Sequence, residues 1–295
     1  MGLAMEPQNF QVHPRQLLTA GIRVVAGVRL NNLNDLLAAE IPQLRTVKPL
    51  VGAPPRHVSG APRLNGQNEV NPLLPGDQGR VWAKLGSNPI VGIYQTHSHE
   101  SFWPYVPSGP AAPYSTDWSK TIVQVGWWLS EDLHKEGVSV VQSRVDNMSE
   151  GLLASYSKSF YTAKQLMSWY PSVRMLIDLH RSADDVAPAV IQGAQVSKIL
   201  IVVGTSQLLP NPFWRQNLRI AQELSKALKK VAPGISLGKG IDMVPYRYNQ
   251  QLMPADLMIE VGGPNSTLAE ERLAVDDLAK ALNNIILDGM TTRSN

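Results

Sequence analysis

The chain has 295 residues, 43% of them apolar, which favours one large folded domain, or a domain with an appendage, over a disordered chain. It contains no cysteine, so disulfides, a thiolate metal site and a cysteine nucleophile are excluded. The formal net charge is only +3, and because no run of Lys and Arg forms a basic stripe, we predict no nucleic-acid partner.

The N-terminal part of the chain divides into a helical segment and a loop-rich segment. Residues 14–44 carry apolar side chains at helical spacing, whereas residues 51–79 are rich in Pro, Gly and Asn and predict a long loop or linker. No apolar stretch is long enough to span a membrane, and residues 1–15 lack the order of a signal peptide, so no anchor or signal is predicted in this chain. We predict an extension with a linker over residues 1–79 and the main domain over residues 80–295.

Strand-length apolar runs and helical stretches alternate beyond residue 80. This alternation predicts an α/β fold, with a mostly parallel twisted sheet covered by helices on both faces. Asn211 followed by Pro212 predicts the start of the third helix, and Thr267 with Glu270 forms a capping box at the start of the last. The predicted strands are residues 90–94, 138–141, 173–179, 199–203 and 257–261, and the predicted helices are residues 118–135, 155–169, 213–231 and 268–287.

Three of the predicted strands contain, or are followed by, side chains that could bind a metal ion or take part in catalysis. The first is followed by His97 and Glu100, the third by His180 and Arg181, and the last contains Glu260. Ligands of open α/β sheets bind beyond the carboxyl ends of the strands, so we expect these side chains to converge. Two histidines and a carboxylate are a ligand set that catalytic Zn²⁺ commonly uses, with one position left for water.

The remaining polar groups fit metal-assisted hydrolysis of a carbonyl compound. Glu260 would accept the proton of the attacking water and pass it to the leaving nitrogen. Arg181 would hold substrate or stabilise the developing oxyanion. His99 could instead join His97 in the H-x-H pattern of amidohydrolase barrels, but the histidines needed on later strands are missing. We therefore predict that His99 is not a ligand.

With these residues in place, the chain resembles the stage II sporulation protein P family, whose members are zinc-dependent peptidoglycan hydrolases. The resemblance implies an amidase- or carboxypeptidase-like fold, zinc ligation by His97, Glu100 and His180, and Glu260 as the catalytic carboxylate. The chain departs from the family at two positions, since Ser182 and Gln251 stand where the family often has Asp. The matching segments are residues 92–101, 124–126, 155–159, 177–181, 202–204, 214–217, 248–250 and 260–267.

The resemblance also implies a substrate and a setting. It implies an N-acetylmuramoyl-L-alanine amidase that cuts the amide between muramic acid and L-alanine, and also peptide cross-links, during engulfment in sporulation. The implied location is extracytoplasmic, at the membrane or cell wall, beside a glycan-cleaving partner, stage II sporulation protein D. A zinc carboxypeptidase or endopeptidase acting on wall peptides, and a catalytically silent wall-binding scaffold, are the alternatives. We predict substrate contacts for Tyr105, Asn249, Gln250 and Asn265.

Overall fold

The computed structural model describes residues 82–107 and 112–291. The predicted extension and linker over residues 1–79, with the helical pattern of residues 14–44, lie outside the described residues. The described part of the chain forms strands and α-helices that we number in chain order. They are β1 (Trp82–Leu85), β2 (Val91–Tyr94), α1 (Ile122–Lys135), β3 (Val140–Ser143), α2 (Ser155–Trp169), β4 (Met175–His180), β5 (Ala189–Ile191), β6 (Ala194–Val196), β7 (Ile199–Gly204), α3 (Trp214–Val231), β8 (Ser236–Val244), β9 (Asp256–Val261) and α4 (Leu268–Thr291).

The central sheet has seven strands in the order β1-β3-β2-β4-β9-β7-β8, and β5 and β6 form a separate hairpin. Strands β3, β2, β4 and β9 run parallel to one another, whereas β1 and β7 are antiparallel to their neighbours β3 and β9. This architecture confirms the predicted α/β fold with a mostly parallel sheet. Because β7 runs against β9, its last residue, Gly204, lies at the end of the sheet opposite the carboxyl ends of β2, β4 and β9.

Helices cover both faces of the sheet, as predicted. Ile177 of β4 and Ile259 of β9 face the large core that α1, α3 and α4 cover. On the other face, Leu176 of β4 packs with Leu166 of α2. A Cβ atom at Gly92 would lie 2.5 Å from Leu166, so the glycine lets α2 approach β2 closely. All six residues of β4 are buried, as expected for a central strand of a parallel sheet.

Sequence analysis misses both edge strands of the sheet and the separate hairpin. Absent from the predicted set are β1, the nine-residue strand β8 and the β5–β6 hairpin. Strand β8 lies at the edge, carries Gly238 and Gly240 with φ of 55° and 83°, and pairs with β7 through a register shift. An edge strand with glycines and exposed polar residues lacks the apolar alternation on which strand prediction depends.

The predicted starts are right for α2 and α4, whereas α1 and α3 begin later than predicted. Helix α1 begins at Ile122 and not at residue 118, because the Thr121 hydroxyl accepts a hydrogen bond from Val123 N–H and caps the helix there. The Asn211 side chain accepts from Phe213 N–H at 3.2 Å, and α3 begins at Trp214, one residue after the predicted start. The capping box of α4 is present as predicted: Glu270 N–H donates to the Thr267 hydroxyl at 3.2 Å, and Thr267 N–H donates to the Glu270 carboxylate at 2.9 Å. Among the described residues, no helix combines the length and apolar character that a membrane span requires.

A buried carboxyl group lies under the turn that joins β9 to α4. Glu271 is fully buried and its Oε1 accepts a hydrogen bond from the Ser197 hydroxyl at 2.7 Å. Gly262 has a φ of 61° in this turn, and a Cβ atom there would overlap the Glu271 carboxyl group. Burial raises the pKa of Glu271 to about 8, although the hydrogen bond from Ser197 opposes the rise. The turn thus closes over a carboxyl group that prefers to be neutral.

We expect Glu271→Gln to stabilise the protein above pH 8 and to leave its stability near pH 5 almost unchanged. Because folding raises this pKa from its usual 4.5, the neutral form's contribution to stability is complete below about pH 4.5 and is lost as the pH rises through about 8. Each unit of the rise corresponds to about 1.4 kcal/mol of unfolding free energy at high pH. Urea denaturation at pH 5 and pH 9 measures the difference. The neighbouring Glu270→Gln, which keeps the capping box, is the control and should keep the wild-type pH dependence.

Candidate metal centre

A tight turn after β2 brings His97 and Glu100 together. The carbonyl of His97 accepts a hydrogen bond from Glu100 N–H at 2.9 Å, so side chains three residues apart lie on one side of the turn. His97 Nδ1 lies 3.1 Å from Glu100 Oε1, and both side chains are buried. Asn147 fixes the entry to this turn, because its Nδ2 donates to the carbonyl of Gln95 at 2.9 Å. The turn therefore presents two potential ligands from a single loop.

His180, at the end of β4, completes the group. Its Nδ1 lies 3.4 Å from Glu100 Oε2, and its ring meets that of His97 edge-on with 4.8 Å between centroids. The ligand atoms of His97, Glu100 and His180 all lie within 4.8 Å of one another. Strands β2 and β4 are adjacent and parallel. The next strand along the chain after β2 is β3, which lies on one side of β2, and the strand after that is β4, which lies on the other side. The group therefore sits at a switch point of the sheet, where ligands of such folds bind.

The charges in this group are strongly coupled. Burial raises the pKa of Glu100, but His180 and His97 beside it outweigh burial and hold that pKa well below its usual range. Burial lowers the pKa of His180, but the carboxylates of Asp178 and Glu100 outweigh it and raise that pKa well above its usual value. Glu100 is therefore ionised, and the cluster attracts positive charge next to it.

The residues present fit a bound zinc ion. Tetrahedral bonds of 2.0–2.1 Å place two ligand atoms about 3.3 Å apart. The two histidine Nδ1 atoms lie 3.1 Å and 3.4 Å from different oxygens of Glu100, and one ligand atom from each of the three residues lies within 4.8 Å of the others. Nitrogen and carboxylate oxygen are the donors that a cysteine-free zinc site requires. His97 Nε2 is buried and has no hydrogen-bond partner among the described residues, so the cluster holds an unsatisfied nitrogen.

Glu260 lies on the strand next to His180. Strand β9 pairs with β4 in a register that sets Glu260 directly opposite His180. Burial and the nearby charge of Glu100 raise the pKa of Glu260 to about 7, while His180 and a hydrogen bond from Ser182 lower it. Glu260 is 9% exposed, more than its neighbours on β9. A carboxyl group with this pKa can both accept and release a proton near neutral pH.

Arg181 lies beside the cluster, but its guanidinium binds backbone carbonyls. Nε donates to Ser101 O at 2.6 Å, and the terminal nitrogens donate to Ser182 O at 2.8 Å and Pro113 O at 3.1 Å. The group is buried and lies over the ring of Tyr114. Its backbone N–H donates to Glu100 Oε2 at 3.1 Å. These contacts hold the loop behind Glu100 in place, and none of them points to a substrate or an oxyanion.

Two of the predicted substrate contacts are buried and engaged within the protein. Gln250 Oε1 accepts from Gly204 N–H at 2.9 Å, and its Nε2 donates to Val202 O at 2.8 Å. Asn249 donates through Nδ2 to the hydroxyl of Ser159 at 2.9 Å. The Gln250 side chain therefore bonds to backbone groups at the end of β7 as a neighbouring strand would. Asn249 connects the loop that carries both residues to α2.

We expect Gln250→Ala to destabilise the fold without a specific effect on substrate binding. The change leaves the Gly204 N–H buried without its partner and removes a hydrogen bond to the Val202 carbonyl, which costs about 1–3 kcal/mol of unfolding free energy. Chemical denaturation measures this loss. If stability stays unchanged and the KM for wall substrate rises instead, Gln250 contacts substrate as the sequence predicts. Gln251→Ala in the same loop is the control.

The other two predicted contacts differ from each other in exposure. The Tyr105 hydroxyl accepts a hydrogen bond from Leu268 N–H at 2.9 Å, so this half-buried side chain helps to cap α4. Asn265 follows β9 at the rim of the site, and its side chain is exposed. His99 is not part of the ligand group, because its Nε2 lies 2.9 Å from Asp146 Oδ1.

One residue of the site is missed by sequence analysis. Asp178 is fully buried on β4, and its Oδ1 lies 3.1 Å from His180 Nε2. Its signal in the sequence is an acidic residue two positions before His180, because side chains two apart in a strand share a face. The apolar run around Asp178 hides that signal, since the run reads as core.

Fold and site together define an α/β protein with a buried His-Glu-His group at the carboxyl ends of its central strands. Next to this group lies Glu260, whose pKa is raised to about 7. The sequence profile of the family described as Stage II sporulation protein P matches residues 59–283, most of the chain. The chain belongs to this family.

Individual relatives are more distant. Stage II sporulation protein P of Bacillus subtilis (strain 168) is 27% identical over 215 residues, which are 69% of this chain and 52% of that protein. The chain thus spans about half the length of the curated relative it matches. The apo N-acetylmuramyl-L-alanine amidase Ami1 from Mycobacterium abscessus is 15% identical, with a TM-score of 0.41 over 68% of this chain and 97% of that one. The CwlD amidase from Clostridioides difficile, in complex with the GerS lipoprotein, is 12% identical, with a TM-score of 0.42 over 68% and 98% of the two chains.

Proposed function

We propose that the protein is a zinc-dependent peptidoglycan hydrolase that cleaves the amide between N-acetylmuramic acid and L-alanine of the stem peptide. The observation that carries the proposal is the buried group of His97, Glu100 and His180 with Glu260 opposite His180 on the next strand. Membership of the Stage II sporulation protein P family supports peptidoglycan as the substrate. We also propose that residues 80–295 form the catalytic domain.

The residues of the site divide the work of amide hydrolysis among them. A zinc ion held by His97, Glu100 and His180 would act as a Lewis acid towards the scissile carbonyl and a water molecule. Glu260 accepts the proton that the water loses as its oxygen bonds to the carbonyl carbon. As the carbon–nitrogen bond breaks, Glu260 passes this proton to the departing nitrogen. The products are the lactyl carboxylate on the glycan and a peptide with a free L-alanine amino group.

Substrate and oxyanion contacts belong to the rim of the site. Asn265 is our candidate for a substrate contact, because its exposed side chain follows β9 directly after the catalytic segment. Arg181 supports the reaction indirectly in this proposal, since its guanidinium fixes the loop that carries Glu100. Tyr105 and Asn249 likewise act through the elements that they hold.

Membership of the family supports a proposal for the biological setting. We propose action on the cell wall in sporulation, outside the cytoplasmic membrane, in line with the name of the family and of the Bacillus subtilis relative. A glycan-cleaving protein such as stage II sporulation protein D is the partner that this reaction calls for, because amide cleavage alone frees peptides and leaves the glycan strands whole.

Product analysis tests the proposal. Purified peptidoglycan is incubated with the zinc-loaded protein, and the soluble products are identified by mass spectrometry. We expect stem peptides with a free L-alanine amino terminus and glycan strands with a free lactyl carboxylate. Shortened stems alone would assign the protein to the carboxypeptidases or endopeptidases, and unchanged peptidoglycan would favour a silent wall-binding scaffold. The Glu260→Gln protein is the matched control for contaminating hydrolases.

A further inference from the structure

The buried carboxylate of Asp178 touches both segments that carry the metal ligands. Its Oδ1 accepts from Thr96 N–H at 2.8 Å, and its Oδ2 accepts from the Thr96 hydroxyl at 2.6 Å. Oδ1 also lies 3.1 Å from His180 Nε2, although the N–H direction is not aligned with it, so the contact is electrostatic and not a straight hydrogen bond. One side chain therefore joins the residue before His97 to the ring of His180.

A chain of hydrogen bonds ends on this carboxylate. The Thr96 hydroxyl donates its single proton to Asp178 Oδ2, so it must itself accept from the Ser159 hydroxyl, 2.7 Å away. Ser159 Oγ lies closer to Thr96 than to the Tyr156 carbonyl, which is 3.2 Å away, and it accepts from Asn249 Nδ2 at 2.9 Å. Every proton in the chain points towards Asp178, and such a chain strengthens each of its bonds.

The chain gives the buried carboxyl group of Asp178 its hydrogen-bond partners. Asp178, Thr96 and Ser159 are all fully buried, and a carboxyl group without partners there would be very unfavourable. Asp256 lies on the neighbouring strand, and burial together with the charge of Asp178 raises its pKa well above the usual value. Asp256 is therefore the carboxyl group on this strand that favours its neutral form.

We propose that Asp178 is a positioning residue for the metal centre: it keeps the proton of His180 on Nε2, so that Nδ1 is free as a ligand beside Glu100. A carboxylate next to one imidazole nitrogen attracts the proton to that nitrogen and fixes the ring. The chain from Asn249 through Ser159 and Thr96 supports the carboxylate. This inference rests on the proposed zinc-dependent function.

Zinc affinity and the state of the His180 ring test the inference in the full-length chain. We compare the wild type with Asp178→Asn, Thr96→Val and the exposed control Asp185→Asn. A competition titration with a chromogenic chelator gives the zinc Kd, and NMR of ¹⁵N-labelled imidazoles in the zinc-loaded protein shows which nitrogen of His180 carries the proton. We expect Asp178→Asn to weaken zinc binding about 10- to 100-fold and to weaken the His180 Nε2–H signal. Thr96→Val should act in the same direction but less, and Asp185→Asn should match the wild type.

The outcomes separate this inference from the proposed function. A wild type that binds zinc, with Asp178→Asn equal to it in Kd and in the imidazole spectrum, overturns the role of Asp178 and leaves the zinc-dependent function standing. A wild type that binds no zinc overturns both. If Asp178→Asn does not fold, as judged by circular dichroism, Thr96→Val decides, because it keeps the backbone contact and removes only the hydroxyl. Wild-type affinity in Thr96→Val then overturns the inference.

Discussion

The Glu260→Gln protein is expected to bind zinc like the wild type and to hydrolyse peptidoglycan about 10²- to 10⁴-fold more slowly, the range that general acid–base catalysis contributes. Glutamine has the same shape as glutamate, so the pairing of β9 with β4 should remain intact. It cannot accept the proton from water, however, and the proton transfer to the leaving nitrogen is lost with it.

Two measurements on the same sample check this result. Metal content by atomic emission should equal that of the wild type, and the release of amino groups from peptidoglycan should fall. Glu223→Gln, an exposed change of the same kind on α3, controls for preparation and should keep full activity. Wild-type turnover in the Glu260→Gln protein would remove Glu260 from the role of general base. Loss of zinc would instead make it a metal ligand.

The second large effect is expected at the histidines of the cluster. We expect His180→Ala and His97→Ala each to weaken zinc binding on the order of 10²- to 10⁴-fold, because one of three ligands carries roughly a third of the binding free energy of a zinc site. Hydrolysis should fall at least as far at limiting zinc. Isothermal titration with zinc measures the affinity, and product release measures the activity.

His99→Ala is the matched comparison for this pair. It removes a histidine from the same loop, two residues after His97. The ring of His99 contacts Asp146 and lies outside the ligand group. We expect its zinc affinity to stay close to that of the wild type. Loss of zinc in His99→Ala with retention in His180→Ala would mean that the metal lies elsewhere in the loop.

Sequence analysis identifies the candidate ligands and the proposed general base for a physical reason. In a mostly parallel sheet the strands have apolar runs, so a histidine or glutamate at the end of such a run stands out, as His180 and Glu260 do. The same property predicts the central strands and four helices to within a few residues. It fails at β1 and β8, because an edge strand is half solvated and has no need of an apolar run.

The direction in which a side chain points is the other property that the sequence does not reveal. Arg181 and Gln250 both stand in motifs of the family, but their side chains bind backbone groups. A polar residue next to a ligand can face the substrate or satisfy a buried carbonyl, and the residue type alone does not distinguish the two. Asp178 is difficult to recognise for a different reason. Its partners are Thr96, 82 positions earlier in the chain, and His180, two positions later, and only the fold brings the three together.

The reversed direction of β7 has a practical consequence for work on an insoluble polymer. The turn after Gly204 lies at the far end of the sheet from the ligand group, and Gln207 in that turn is exposed. The natural chain has no cysteine, so Gln207→Cys creates a unique thiol there. A fluorophore on that thiol would remain in solvent if the opposite end of the molecule binds a wall fragment as proposed, and it would then report residence time on the polymer.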